Sequence, residues 1–138
     1  MTGFVLDASV ALAWCFDDES TPVAWGLLDR LRSAPAHVPA LWALEVGNIL
    51  LGAERRRRIT QARAVEFVGI LGELDIRVDH EVAGRAFRDV LPLARAQRLT
   101  TYDAAYLELA MRLGLPLATK DAALVRAAAA LRIATLAA

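Results

Sequence analysis

The sequence predicts an α/β fold: a mostly parallel sheet of four to five short strands, covered by helices on both faces. Two observations predict it. Short apolar runs of strand length alternate along the chain with longer stretches of helical periodicity, and that alternation builds parallel sheets from crossover units. Hydrophobic residues fill 57% of the 138 positions, which supplies the core such a sheet needs when both its faces are buried. No repeat or linker divides the chain, so residues 1–138 are expected to form a single domain.

Residues 3–6 read as a buried strand and residues 8–14 as a helix directly behind it. The acidic stretch Asp17, Asp18 and Glu19 reads as a solvated loop. Ser20 or Thr21 caps a helix running to about Arg32, with Pro22 in its first turn. His37 and Val38 mark a second strand. Pro39 stands at the mouth of a helix over residues 41–54, and Thr60 caps another to about Leu74. Residues 75–78 read as a third strand, followed by a helix from about Glu81 that Pro92 kinks or splits near Val90. Thr100 or Thr101 caps residues 102–113, and Gly114 closes that helix. Residues 115–119 then form a strand, residues 121–131 a helix and residues 133–136 a final strand.

No apolar run reaches the roughly 18 residues of a membrane span, and nothing at the start reads as a signal peptide, so no membrane association is expected. One cysteine, Cys15, cannot make an internal disulfide, and a buried thiol in a reducing cytoplasm is the natural reading. The formal net charge is zero, which argues against coating nucleic acid by bulk charge. The balance hides an asymmetry: residues 1–50 hold Asp7, Asp17, Asp18, Glu19, Asp29 and Glu45 against only Arg30 and Arg32. Arginine dominates the basic residues, which suits bidentate contacts to phosphate and is also what a GC-rich genome supplies.

In open parallel sheets, ligands lie beyond the carboxyl ends of the strands. Asp7 stands at that end of the first strand and Asp121 just past that end of the strand over residues 115–119, so both are brought toward one rim. Asp103 opens the helix over residues 102–113. Asp103 and Asp121 each sit in a first helical turn, where a carboxylate taken singly is worth under about 1 kcal/mol as a helix-end charge. Glu45 lies in LWALEVGNILLG, which is apolar nearly all round and therefore reads as a buried helix. A lone ionised glutamate there is costly unless paired, and no lysine or arginine lies within a turn. Asn48 shares its face. Acids converging without local bases raise one another's pKa, and a divalent cation relieves the repulsion. An all-oxygen donor set suits Mg²⁺ or Mn²⁺; zinc would ask for His or Cys, and His37, His80 and Cys15 lie far apart in sequence. Such a metal without a nucleophilic triad points to phosphate chemistry. No GxxxxGK[ST] or GxGxxG loop is present.

Three blocks together resemble the PIN domain family, and within it the VapC-type toxins of bacterial toxin–antitoxin systems. FVLDASVALAW is similar to the opening block, with Asp7 and the hydroxyl of Ser9. PALWALEVGNIL is similar to the second, with Glu45 and Asn48, and LTTYDAAYLELAMRLGLPLATKDAAL to the third and fourth, with Asp103 and Asp121. The resemblance implies a PIN-like three-layer α/β/α sandwich and a Mg²⁺- or Mn²⁺-dependent ribonuclease in which Asp7, Glu45, Asp103 and Asp121 hold the metal and water attacks the RNA phosphodiester. It further implies a homodimer inhibited by a cognate VapB-type antitoxin, with Thr119 as a supporting hydroxyl beside Asn48 and Ser9. Many members carry another acid soon after the fourth; here Ala122, Ala123 and Leu124 follow Asp121, so the four acids are assigned to metal binding and water orientation as a group.

Arg55, Arg56, Arg57 and Arg58 end the Glu45 helix, where cations suit the dipole and could also grip RNA or an acidic antitoxin. Lys120 and Tyr102 flank two of the acids and are candidate substrate contacts. Trp14, Trp25 and Trp42 read as core or dimer packing residues rather than base-stacking ones. Two readings compete with the nuclease. A Mg²⁺-dependent phosphatase or phospho-acceptor domain also places acids at strand ends, but Ser9 stands where the phosphatase wants an acid and Asp7 has no acidic neighbour. A catalytically silent PIN-like binding module would bind no metal.

Overall fold

The computed structural model describes residues 3–137. Strand β1 (Phe4–Leu6) is buried throughout and lies at the centre of the sheet, flanked by β2 (Ala36–Pro39) and β4 (Leu117–Thr119); β3 (Ile76–Asp79) and β5 (Thr135–Ala137) form the edges. Among the described residues the order is β3-β2-β1-β4-β5, with every neighbouring pair parallel. Each expected strand is present, its ends shifted by a residue or two. Only glycine fits at position 3, because a Cβ there would clash with the Pro35 carbonyl oxygen, which accepts the Phe4 N–H at 3.3 Å.

The helices are α1 (Ala8–Ala13), α2 (Pro22–Arg30), α3 (Trp42–Arg55), α4 (Gln61–Glu73), α5 (Val82–Arg85), α6 (Leu91–Gln97), α7 (Thr101–Leu113) and α8 (Ala122–Ala130). From β1 the chain steps outward to β2 and β3, then crosses back to β4 and β5 on the other side. Right-handed crossovers therefore put α1 to α4 on one face and α5 to α8 on the other. Accordingly α1 touches α2 and α3, whereas α7 lies across β1, β2 and β4 and meets α8. The reversal of direction between β1 and β4 is the switch point of the sheet, where open α/β folds bind their ligands.

Local chemistry sets the helix ends. Thr21, Thr60 and Thr100 each accept the backbone N–H three residues on, at 3.1 Å, and caps of this kind are worth about 1 kcal/mol. Gly114 closes α7 in the left-handed region at φ +66°, as a glycine beyond a helix end does. Pro92 splits its helix as expected, though the chain continues: a π-helical turn, Ala86–Val90, joins α5 to α6. The ring denies a hydrogen bond and crowds the preceding turn, which widens in response.

Two expectations are corrected, and the tryptophans divide between core and surface. Helix α3 is not buried all round: Trp42, Val46, Leu50 and Ala53 face the core, while Leu44 is 78% exposed and Ile49 and Leu51 are also open. An apolar pattern does not distinguish core burial from an exposed apolar face. Trp25 is exposed, whereas Trp14 is buried with its indole N–H donating to the Ala24 carbonyl at 2.7 Å. The stretch Asp17–Glu19 is a 3-10 turn rather than a free loop: Arg58 bonds Asp18 and Glu19 and stacks over the Phe16 ring, 3.9 Å from its centroid.

Candidate active site

Asp7 follows β1 directly, and its own N–H still joins the ladder by donating to the Ala118 carbonyl of β4 at 3.0 Å. That register brings Thr119 alongside. The buried Thr119 hydroxyl donates to Asp7 Oδ2 at 2.8 Å, and the Ser9 hydroxyl donates to the same oxygen at 2.7 Å. Each hydroxyl is oriented in turn by a backbone N–H: Asp121 N donates to Thr119 and Lys120 N to Ser9, both at 3.0 Å. Two relays thus converge on one carboxylate oxygen and fix its plane. Asp7 is only 6% exposed. Burial holds its carboxyl above the usual range; the two hydroxyl bonds oppose the rise and the charge of Asp121 adds to it.

Glu45 projects from the first half of α3 and is half-buried. Its partner is not a cation. The hydroxyl of Tyr106, fully buried on α7, donates to Glu45 Oε1. Burial pushes the Glu45 carboxyl up against that bond, and the charges of Asp7 and Asp103 push it further. The same burial, together with the carboxylate it faces, pushes the Tyr106 phenol upward. Asp103 stands at the third position of α7, where its N–H donates to the Thr100 hydroxyl at 3.1 Å. Burial raises it, and the charges of Asp121 and Asp7 add to the rise. Asp121 caps α8, its Oδ1 accepting from Ala123 N at 2.8 Å and Leu124 N at 3.2 Å.

The structure thus brings together the acids from four separate segments. Asp7 feels Asp121, Glu45 feels Asp7 and Asp103, and Asp103 feels Asp121 and Asp7. Among the described residues none of the four takes part in an ion pair. Among the described residues no three His, Cys, Asp or Glu side chains are grouped closely enough to hold a metal ion as they stand. The donors fit a hard divalent cation: every one is a carboxylate oxygen, and their mutual repulsion is the cost that a cation removes. The two histidines offer no alternative, since each lies beside edge or flanking structure, His80 exposed and His37 half-buried beside Arg77.

The other sequence-derived candidates separate into two groups. Asn48, Tyr102, Arg55, Arg56 and Arg57 are exposed and free to meet a partner molecule. Arg58 and Lys120 are engaged: Arg58 with Asp18 and Glu19, and Lys120 through Nζ with the Glu19 carbonyl at 2.7 Å. Tyr106 escaped the sequence reading. Its signal was there, because Asp103 and Tyr106 are three apart on one helix and share a face.

An all-parallel sheet with acids gathered at its switch point defines an α/β protein with an acidic, cation-seeking centre. The PIN domain family model matches residues 4–130, and the chain belongs to the PIN domain family. PIN domains are generally nucleases. Comparison with curated proteins finds no match. Among solved structures, the chain is similar to PAE2754 from Pyrobaculum aerophilum, at 22% identity and TM-score 0.68 over 91% of this chain and 84% of that one. It is also similar to VapBC2 from Rickettsia felis bound to a DNA fragment from their promoter, at 7% identity and TM-score 0.69 over 98% and 97%. FitAcB from Neisseria gonorrhoeae matches at 18% identity and TM-score 0.56 over 98% and 96%.

Proposed function

We propose that this protein is a Mg²⁺- or Mn²⁺-dependent endoribonuclease of the VapC type, the toxin of a toxin–antitoxin pair, acting in the cytoplasm as a single-domain chain. The observation that carries the reading is the convergence of Asp7, Glu45, Asp103 and Asp121 on one rim with no ion-pair partner among the described residues. These four would hold the metal. When bound, it supplies Lewis acidity that lowers the pKa of a water and offsets charge building on the phosphate.

The chain's own residues do the rest. Ser9 and Thr119 keep Asp7 in one orientation, so the centre does not reorganise as charge develops. Asp121 holds the start of α8 and therefore its own place on the rim. Tyr102, 61% exposed beside Asp103, offers an aromatic face for a base, and Arg55, Arg56 and Arg57 offer guanidinium groups for the RNA backbone. The exposed apolar side chains of Trp25, Val65, Val68 and Ile70 on α2 and α4 support a protein partner, here a VapB-type antitoxin or a second copy in a homodimer. The likeness to VapBC2 supports the same partner class.

The test is incubation of purified, antitoxin-free protein with total cellular RNA in Mg²⁺, in Mn²⁺ and in chelator, beside Asp7→Asn. Discrete fragments that need metal and drop at least about a hundredfold in the variant are expected. Cleavage absent under every metal, with the variant indistinguishable from wild type, would move the assignment to a silent binding module.

A further inference from the structure

The carboxylates of Asp7, Asp121 and Glu45 are held by hydrogen bonds, and Glu45 differs from the other two in how. Asp7 is gripped by Ser9, two residues away, and by Thr119 on the adjoining strand. Asp121 is held by the N–H groups of its own helix turn, and Asp103 sits in the turn that Thr100 caps. Glu45 has the longest side chain of the four and the most rotamer freedom to lose. Its partner comes from 61 positions along the chain: the hydroxyl of Tyr106.

Tyr106 is 0% exposed. A buried tyrosine hydroxyl must find a partner, and backbone carbonyls usually serve. This one donates instead to a carboxylate of the acidic rim. One phenol therefore ties together α7 and α3, the helices that carry Asp103 and Glu45. Ligating carboxylates that are hydrogen-bonded from behind hold their metal more tightly than free ones, typically by about 10–100-fold.

We propose that Tyr106 is a positioning residue of the metal centre, its hydroxyl fixing the Glu45 carboxylate for the cation. The inference rests on the reading of the rim as a metal site. Tyr106 cannot touch RNA from the core, so its loss acts through the metal and leaves the substrate KM unchanged. Tyr106→Phe keeps the buried ring and removes only the oxygen.

The experiment is calorimetric titration of Mn²⁺ into wild type, Tyr106→Phe, Glu45→Gln and the double variant, with circular dichroism to confirm the fold and RNA cleavage measured in parallel. Tyr106→Phe is expected to bind Mn²⁺ about tenfold more weakly and to lower kcat at constant KM. In the Glu45→Gln background the same change is expected to add nothing further. Wild-type and Tyr106→Phe affinities that coincide overturn the positioning role while leaving the metal centre standing. A wild type that takes up no Mn²⁺ overturns the metal centre, and this inference with it.

Discussion

At the N-terminal end of α7, Asp103 lies on a rim with Asp7, Glu45 and Asp121, and its carboxyl is held above the usual range by burial and by two like charges. At the other end of the same helix, Glu108 is nearly as buried as Asp7, yet Arg112 grips it at 2.9 Å and reaches Asp79 on the edge strand at 2.8 Å. Arg85 joins this cluster from α5, bonding Glu81 at 3.1 Å. There Asp79 is held below the usual range, chiefly by its hydrogen bonds from Arg112. Both ends are built from the same residue types. The difference is that the fold supplies the counter-charge at one end and withholds it at the other. A cluster with its own cations cross-links β3, α5 and α7. A cluster without them has a demand that only something from outside can meet, and perturbed acids in that condition mark functional sites.

The sharpest way to break the comparison is to remove the fold's own cation. Arg112→Met takes from Asp79 its ion-pair partner and leaves Glu108 with only Arg85, 3.7 Å away. Losing one partner of a fully dry pair costs about 3–5 kcal/mol, and the partly wet edge here brings the expectation to about 2 kcal/mol. Urea denaturation reads it directly. A change below about 0.5 kcal/mol would mean the cluster is ornamental and the contrast empty. Metal-dependent cleavage per folded molecule should stay at the wild-type level.

A smaller effect of opposite sign is expected at the rim. Asp7→Asn removes a buried charge while keeping an oxygen for the Ser9 and Thr119 hydroxyls. In chelator, its thermal midpoint should rise above wild type by a few degrees or less, about the shift that 1 kcal/mol produces in a chain of this size. In Mn²⁺ the order should invert, because a cation held by the proposed centre stabilises wild type by mass action. A variant less stable than wild type in chelator would mean that Asp7 serves the fold, not a ligand.

This contrast also explains what the sequence revealed. Asp7 and Asp121 were legible because strand ends and helix starts are local features, and the switch point follows from the alternation of strands and helices. Glu45 was legible as an acid out of keeping with its surroundings, whereas Asp103, taken singly a helix-end charge, was legible only through the block that resembles the family's. What stayed hidden is pairing across long separations: Tyr106 with Glu45, Lys120 with the Glu19 carbonyl, and Arg58 with Asp18 and Glu19. No periodicity encodes which side chain an unpaired group will meet after folding. The exposure of Leu44, Ile49 and Leu51 was hidden for another reason, since a helix apolar on every side looks the same whether the protein's own core or a partner covers it.

The mildest test uses pH to tilt the two clusters against each other. Asp7, Glu45 and Asp103 have folded pKa values above their ordinary 3.8, 4.5 and 3.8, so the folded state holds protons that the unfolded chain has released. Their contribution is complete below those ordinary values and is lost as pH rises through the raised ones. Asp79 runs the other way: from an ordinary 3.8 its folded value is lowered, so its contribution is present above 3.8 and is lost as pH falls through the lowered value. The two windows lie on either side of about pH 4, and these four groups together favour maximal metal-free stability there. In chelator, the urea midpoint of wild type should therefore decline from pH 4 to pH 7, and Asp7→Asn should flatten the decline. Mn²⁺ should flatten it as well, because a cation among the carboxylates removes the penalty for ionising them. A wild-type midpoint that climbs steadily to pH 7 in chelator, with the same slope in Asp7→Asn, would show that the rim acids are not strained by one another and that the two ends of α7 differ only in appearance.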